Sequence, residues 1–194
     1  MDIFNGLALI LQEENNLMPW KNGAGLTRQI AVFPSDANIN NFICRISITE
    51  IKSDNVYSHF PHIHRTQMLL NGCGVELKFS NKVTILNKQY QLTNFSGNNA
   101  VSCHMLRGPC QVLNIMTRQG EEIPESWVIY GACNKMLNDK PRVFYIAQGE
   151  YDVAISAHKN ITLRTGDALL VTADQFRFKS AATSNAVMIE IKLH

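Results

Sequence analysis

Apolar and polar residues alternate with period two along most of this chain, and turn-forming residues interrupt the alternation about every ten positions. The clearest example is the stretch at residues 42–49. Its apolar positions are Cys44, Ile46 and Ile48, and its polar positions are Arg45, Ser47 and Thr49. No long stretch follows a helical period. The pattern predicts an all-β protein built as a sandwich or a barrel.

Two clusters of short alternating segments flank residues 119–126, where Gly120, Pro124 and the glutamates predict a linker or a crossover. We therefore expect two small barrels, one over residues 1–118 and one over residues 119–194. The apolar run at residues 3–11 predicts a first strand, and its exchange into the second barrel is left open. Closed barrels would remove exposed sheet edges and leave an internal space for a ligand.

Asn71-Gly72 predicts a hairpin turn between two strand-like segments. For a loop of two or four residues, the predicted inward side chains are Met68, Leu70, Val75, Leu77 and Phe79. Extended backwards, the same alternation predicts that His62, His64 and Thr66 face inwards and that Arg65 and Gln67 face outwards. A β-bulge would reverse this assignment.

Charge and composition narrow the classes of function. Lys and Arg number 18 and Asp and Glu number 16, a near balance that argues against a nucleic-acid surface or an anionic membrane as partner. The apolar run at residues 7–11 is too short for a spanning helix and has acidic flanks, unlike a signal peptide. We therefore expect a cytoplasmic protein.

The cysteines indicate packing rather than chemistry. There are five of them, without a Cys-x-x-Cys spacing, which argues against a disulfide framework or a structural zinc site. Cys44 and Cys103 lie in alternating apolar runs and are predicted to be core residues.

Residues 18–30 hold the densest group of functional side chains. Gly23 and Gly25 allow a turn or a close approach to a ligand, and Trp20 can form an apolar wall. Hydrogen-bond donors on both sides of the glycines are Lys21, Asn22, Thr27 and Arg28. The combination suits capture of a small anionic or polar molecule. The alternative is a loop and an edge strand whose polar residues are merely solvated.

This segment, Trp-Lys-Asn-Gly-Ala-Gly-Leu-Thr-Arg-Gln-Ile, resembles the signature of the HutD/Ves family. Further similar blocks are Phe-Ile-Cys-Arg-Ile-Ser at 42–47, Phe60-Pro61 with Arg65, Leu-Leu-Asn-Gly at 69–72, Gly108-Pro109, and Asn-Ile-Met-Thr-Arg at 114–118. The resemblance implies a bicupin of two jelly-roll-like barrels. It also implies a link to histidine utilisation or a stress response, no established catalysis, and formylglutamate or urocanate as first ligands to try.

The residues themselves favour binding of a small carboxylate. The candidate ligand-binding residues are Trp20, Lys21, Asn22, Thr27, Arg28, Arg45, Ser47, Phe60, Arg65 and Asn114. An arginine can meet a carboxylate with two parallel hydrogen bonds, whereas amide and hydroxyl groups set the ligand's orientation. For each arginine the alternative is an external salt bridge. Asn114 shares a face with Val112 and Met116, so its amide needs a hydrogen-bond partner.

A metal-dependent cupin enzyme, an isomerase or dioxygenase, is the second hypothesis. Two histidines at positions i and i+2 of one strand face can share a metal, and His62 and His64 have this spacing, with His104 as a third ligand. The carboxylate of the usual cupin motif is missing at positions 66–69. We therefore predict neither a metal nor a cofactor, and no catalytic residue. A structural or partner-binding module is the third hypothesis, and a homodimer is left open.

Overall fold

The computed structural model describes residues 3–4, 6–13, 17–20, 26–138, 141–156, 159–173 and 175–194. All regular elements in these residues are β-strands, which confirms the predicted all-β class. The first ten are β1 (Ile3–Phe4), β2 (Leu7–Ile10), β3 (Leu17–Pro19), β4 (Leu26–Phe33), β5 (Cys44–Ile51), β6 (Asn55–Val56), β7 (Ile63–Gly72), β8 (Val75–Lys78), β9 (Val83–Leu86) and β10 (Leu92–Ser96). The other ten are β11 (Ser102–Met105), β12 (Cys110–Arg118), β13 (Glu125–Tyr130), β14 (Cys133–Asn138), β15 (Arg142–Gln148), β16 (Glu150–Ser156), β17 (Lys159–Arg164), β18 (Ala168–Val171), β19 (Gln175–Ala182) and β20 (Val187–Lys192). No described segment forms a helix that could cross a membrane.

The chain divides into two compact units. The N-terminal unit is Asn16–Glu121, and the C-terminal unit combines Met1–Asn15 with Glu122–His194. The sequence predicts a first barrel over residues 1–118 and leaves open the exchange of the N-terminal strand into the second barrel. In the structure β2 pairs with β18, so that Leu7 lies opposite Val171 in a sheet of the C-terminal unit.

In the N-terminal unit, two sheets enclose the core. The six-stranded sheet has the order β10-β7-β12-β5-β4-β3, and the four-stranded sheet has the order β6-β11-β8-β9. The core cluster draws Ile51, Leu69 and Val112 from the first sheet and Val75 and Leu77 from the second. Each of these side chains is at most 1% exposed.

The C-terminal unit has the same plan. Its six-stranded sheet has the order β1-β2-β18-β15-β20-β13, and its four-stranded sheet has the order β14-β19-β16-β17. Phe144 of the larger sheet stacks on Phe178 of the smaller one, with ring centroids 4.1 Å apart. In both units the described strands pair into two separate sheets rather than one closed ring, so each unit is a sandwich open between its sheets.

Cys44 and Cys103 are 6% and 0% exposed, which confirms them as core residues. Burial raises the pKa of Cys44 to about 12 and that of Cys103 to about 11. Both are therefore neutral thiols that pack as small apolar side chains.

The predicted hairpin at Asn71-Gly72 is wrong. Strand β7 pairs with β10 and β12, whereas β8 pairs with β9 and β11, so the chain crosses here from one sheet to the other. The crossing needs left-handed backbone at Gly72 and Gly74, whose φ angles are 89° and 95°. A Cβ on Gly74 would lie 1.9 Å from the carbonyl oxygen of Leu86.

A β-bulge also reverses the faces predicted for β7. Gln111 of β12 lies opposite Asn71, but the next residue, Val112, lies opposite Leu69, so Leu70 is an extra residue. One extra residue moves every earlier side chain to the other face of the sheet. Arg65 and Gln67, predicted to face outwards, are therefore buried inside the unit, at 9% and 1% exposure.

The glycine at the sheet crossing gives a test with a built-in control. We expect Gly74→Ala to lower the free energy of unfolding by about 3 kcal/mol or more, since left-handed strain adds to a backbone clash. Gly108 also has a positive φ, 71°, but no atom lies within 4 Å of a Cβ built there. Gly108→Ala should therefore cost only about 1 kcal/mol. Urea denaturation of both variants measures the difference, and equal losses would contradict the crowding at Gly74.

Candidate functional site

A pocket opens on the inner face of the six-stranded sheet of the N-terminal unit. It encloses about 550 Å³, counting the solvent at its open mouth. Strand register arranges its floor in rows. Read from β7 through β12 to β5, the rows are Arg65–Met116–Arg45, Gln67–Asn114–Ser47 and Leu69–Val112–Thr49, with Thr27 of β4 beside Thr49. Paired residues share a face, so the register alone brings these side chains together.

A chain of hydrogen bonds runs across this floor from the pocket wall. Nε1 of Trp20 donates to Oγ1 of Thr27 at 2.8 Å, and that oxygen lies 2.7 Å from Oγ1 of Thr49. Nδ2 of Asn114 donates to the same Thr49 oxygen at 3.4 Å. The indole is thereby fixed to the threonine pair.

The chain continues through two amides to a phenol. Nε2 of Gln67 donates to Oδ1 of Asn114 at 3.1 Å, and the hydroxyl of Tyr57 lies 2.9 Å from the same nitrogen. The partner predicted for the Asn114 amide is therefore confirmed. Burial raises the pKa of Tyr57 well above its usual value, so the phenol is neutral. A satisfied polar network of this kind holds its members in fixed orientations.

Arg65 lies at the inner end of the first row, among aromatic rings. Its guanidinium carbon is 4.9 Å from the ring centroid of Tyr57, 5.0 Å from that of Phe95 and 5.8 Å from that of Phe60. Its Nε is buried and has no hydrogen-bond partner among the described residues. Burial lowers the pKa of Arg65 to about 10, which leaves it cationic at neutral pH.

Arg45 lies at the other end of the same row and is 5% exposed. Its Nε donates to Oε1 of Gln29 at 3.0 Å, and one terminal nitrogen lies 3.8 Å from the sulfur of Met18. Burial lowers the pKa of this arginine as well. Its contacts are to neutral groups, so its charge is oriented but not balanced.

Neither arginine is balanced by an acid. No Asp or Glu is found among the described lining residues of the pocket. The ion pairs found over the described ranges include neither Arg45 nor Arg65. Two buried positive charges without a counter-charge are costly for the folded protein, because desolvation is not repaid by an ion pair.

The C-terminal unit shows the ordinary solution to the same problem. Its buried carboxylate, Glu190, is 1% exposed and accepts a hydrogen bond at 3.1 Å from Arg142 and another from Lys135. There the protein supplies the anion itself. The described lining of the N-terminal pocket supplies no such anion.

Comparison with known proteins places this architecture in a family. The family model described as HutD matches residues 12–188, which is most of the chain. The chain belongs to the HutD family. Protein Ves of Citrobacter koseri is 38% identical over 101 residues, so the match spans 52% of this chain and only 52% of Ves.

Solved structures agree with this HutD fold. A conserved protein of unknown function from Pseudomonas aeruginosa, PA5104, superposes with a TM-score of 0.85 at 21% identity, covering 96% of this chain and 98% of its own. A HutD structure from Pseudomonas fluorescens, described as a formate condition, gives a TM-score of 0.78 at 20% identity, covering 97% and 99% of the two chains. The predicted bicupin class is thereby confirmed, with sandwiches open between their sheets in place of closed barrels.

The pocket of this HutD protein gathers most of the residues singled out from the sequence. Those lining it are Trp20, Thr27, Arg45, Ser47, Phe60, Arg65 and Asn114. Arg28 does not line it: this residue pairs with Ile48 and faces the opposite side of the sheet from its neighbour Thr27. Lys21 and Asn22 lie outside the described residues.

Sequence reasoning missed four polar lining residues, Thr49, Gln67, Tyr57 and Ser58. Thr49 had a signal, since it alternates with Ser47 on β5. Gln67 was assigned to the wrong face because the bulge at Leu70 was not foreseen. Tyr57 follows the two-residue strand β6, and no pattern in the sequence marks it.

The histidines of the metal hypothesis are not assembled around this pocket. His62 precedes β7 in a turn with φ 60°, and His64 lies opposite Thr117, on the sheet face away from Arg65. Nδ1 of His104 lies 3.0 Å from a carboxylate oxygen of Asp54. The described residues contain no group of three or more His, Cys, Asp or Glu side chains that could hold a metal ion.

The charge imbalance predicts unequal effects for Arg65 and Arg142. Arg65→Met gains about 1–2 kcal/mol in the ligand-free protein, because an apolar side chain avoids the desolvation cost, and loses about 0.5–2 kcal/mol of contact with the three rings. Its free energy of unfolding should therefore stay within about 1.5 kcal/mol of the wild-type value. Arg142→Met should instead cost about 2 kcal/mol or more, because it removes one of the two cations on Glu190. Denaturant midpoints of both variants decide the matter, and equal destabilisation would contradict an unbalanced Arg65.

Proposed function

We propose that this HutD protein binds a small carboxylate-bearing metabolite in the pocket of its N-terminal unit. The observation that carries the proposal is the pair of buried arginines, Arg45 and Arg65, with no acid among the described lining residues. A bound carboxylate would supply the missing negative charge. The guanidinium groups are already desolvated in the folded protein, so their attraction to a carboxylate would contribute directly to the free energy of binding.

The two guanidinium groups are held ready for an anion. Arg65 is packed among three aromatic rings, and Arg45 is oriented by the side-chain carbonyl of Gln29. Ordered arginines lose little conformational freedom when they bind, and their planar forks match the two oxygens of a carboxylate. Such preorganisation favours affinity even for a small ligand.

The remaining lining supports a small organic acid rather than an inorganic ion. Met116 lies between the two arginines in their row and offers an apolar surface, while Ser47 and Asn114 offer polar groups in the next row. An acid with a short carbon skeleton satisfies both surfaces.

The family suggests the biological setting. The HutD and Ves resemblance favours a regulatory binding protein in histidine utilisation or a stress response, with urocanate and formylglutamate as the first metabolites to test. Formate is the smallest carboxylate probe. No catalytic step is part of the proposal.

A thermal-shift screen tests this function. Formate, acetate, urocanate and N-formyl-L-glutamate are added to the wild type as sodium salts, against sodium chloride of equal ionic strength. A ligand present at about 100 times its dissociation constant should stabilise the fold by about 2.7 kcal/mol. Arg45→Met and Arg65→Met should each lose this shift.

Arg107→Met is the matched control, because it removes the same charge from an exposed position in the N-terminal unit that does not line the pocket. It should keep the shift. Full shifts in both the Arg45 and Arg65 variants would place the binding site elsewhere, and no shift with any carboxylate would overturn the function.

A further inference from the structure

We propose that the pocket selects carboxylates that carry no ammonium group, that is, deaminated or N-acylated acids, and rejects the corresponding zwitterionic amino acids. This inference rests on the proposed carboxylate-binding function and names the class of acid that the site takes. Two features of the described lining support it. The lining has no acidic side chain that could pair with an ammonium group, and it has more hydrogen-bond donors than acceptors.

Charge is the first argument. Proteins that bind amino acids need a partner for the ammonium group, and a buried carboxylate is the strongest one. The described lining has two arginines and no Asp or Glu. An ammonium group would therefore enter as a third cation beside Arg45 and Arg65.

Hydrogen-bond acceptors are the second argument. An ammonium group has three N–H donors, each of which needs an acceptor once water is excluded. Three side-chain carbonyls around the pocket each already accept one hydrogen bond, which leaves each oxygen a single free lone pair. Oε1 of Gln29 accepts from Arg45, Oδ1 of Asn114 accepts from Gln67, and Oε1 of Gln67 lies 3.2 Å from the hydroxyl of Tyr57.

The donors are in surplus. The hydroxyls of Thr27 and Thr49 carry two protons, and only one lies between their two oxygens. Trp20 and Asn114 donate to this pair and take nothing from it. One hydroxyl proton therefore remains for a ligand, whichever threonine donates within the pair.

Asn114 adds a further donor. Its Nδ2 carries two N–H groups, of which one points to Thr49. Together with the guanidinium groups of Arg45 and Arg65, these hydroxyl and amide groups give the pocket floor several free hydrogen-bond donors for a ligand. A ligand that brings only acceptors, such as a carboxylate with a carbonyl or an acylated nitrogen, can satisfy them.

Calorimetric titration of the full chain with matched pairs of acids tests this selectivity. The pairs are glutarate with L-glutamate, N-formyl-L-glutamate with L-glutamate, and 3-(imidazol-4-yl)propionate with L-histidine. A like charge a few ångströms from a buried cation costs enough to weaken binding about 100-fold at an intermediate dielectric constant. We expect the member without an ammonium group to bind about 100-fold more tightly in each pair that binds.

Asn114→Asp provides an independent readout, since it puts a carboxylate of almost unchanged shape into the floor and keeps the oxygen that accepts from Gln67. Circular dichroism confirms that the variant folds. We expect the variant to bind the amine-free acids at least about tenfold more weakly, because the new carboxylate repels the ligand's carboxylate. The ratio of affinities between amine-free acids and amino acids should also fall about tenfold, because the same carboxylate attracts the ammonium group of the amino acids.

The outcomes separate this inference from the function beneath it. Amino acids that bind within about threefold of their amine-free partners would overturn the selectivity and leave carboxylate binding intact. Titrations without binding for every acid would overturn both. An unchanged preference in a folded Asn114→Asp variant would also count against the selectivity, because charge would then not be its cause.

Discussion

The register between β7 and β12 is the constraint on which the pocket depends. Because Leu70 is an extra residue, Leu69 lies opposite Val112. Alternate side chains before Leu69, those of Gln67 and Arg65, therefore lie on the inner face of the sheet. Leu69 then joins the core between the sheets, while Gln67 and Arg65 line the pocket floor. This extra residue lies just before the sheet crossing at Gly72 and Gly74, and it places the cationic side chain of Arg65 in the pocket.

The two units treat buried charge in opposite ways. The C-terminal unit buries a carboxylate, Glu190, and pairs it with the partly exposed Arg142 and Lys135, so its buried charge has partners within the protein. The N-terminal unit buries Arg45 and Arg65 against neutral groups and aromatic rings. The first arrangement is self-sufficient, whereas the second gains most from an external anion. Binding sites commonly keep such unfavourable features, because residues chosen for function are seldom the best ones for stability.

The hydrogen-bonded floor gives this unbalanced charge a fixed setting. From Trp20 through the threonine pair to Asn114 and Gln67, each polar group orients the next, and four strands contribute to the chain in addition to the wall residue. Fixed donors favour one class of ligand more sharply than mobile ones do, because no reorganisation can supply a missing acceptor.

The sequence by itself determined the all-β class, the family, the burial of Cys44 and Cys103, and half of the described lining residues. These follow from local alternation and from motifs, which the residues of one strand carry alone. Only the tertiary structure decided that Arg65 and Gln67 face inwards, that Arg28 faces away, and that Asn71-Gly72 crosses between sheets. Such outcomes depend on the register between strands distant in the chain. A shift of one residue there reverses every face without changing the local pattern.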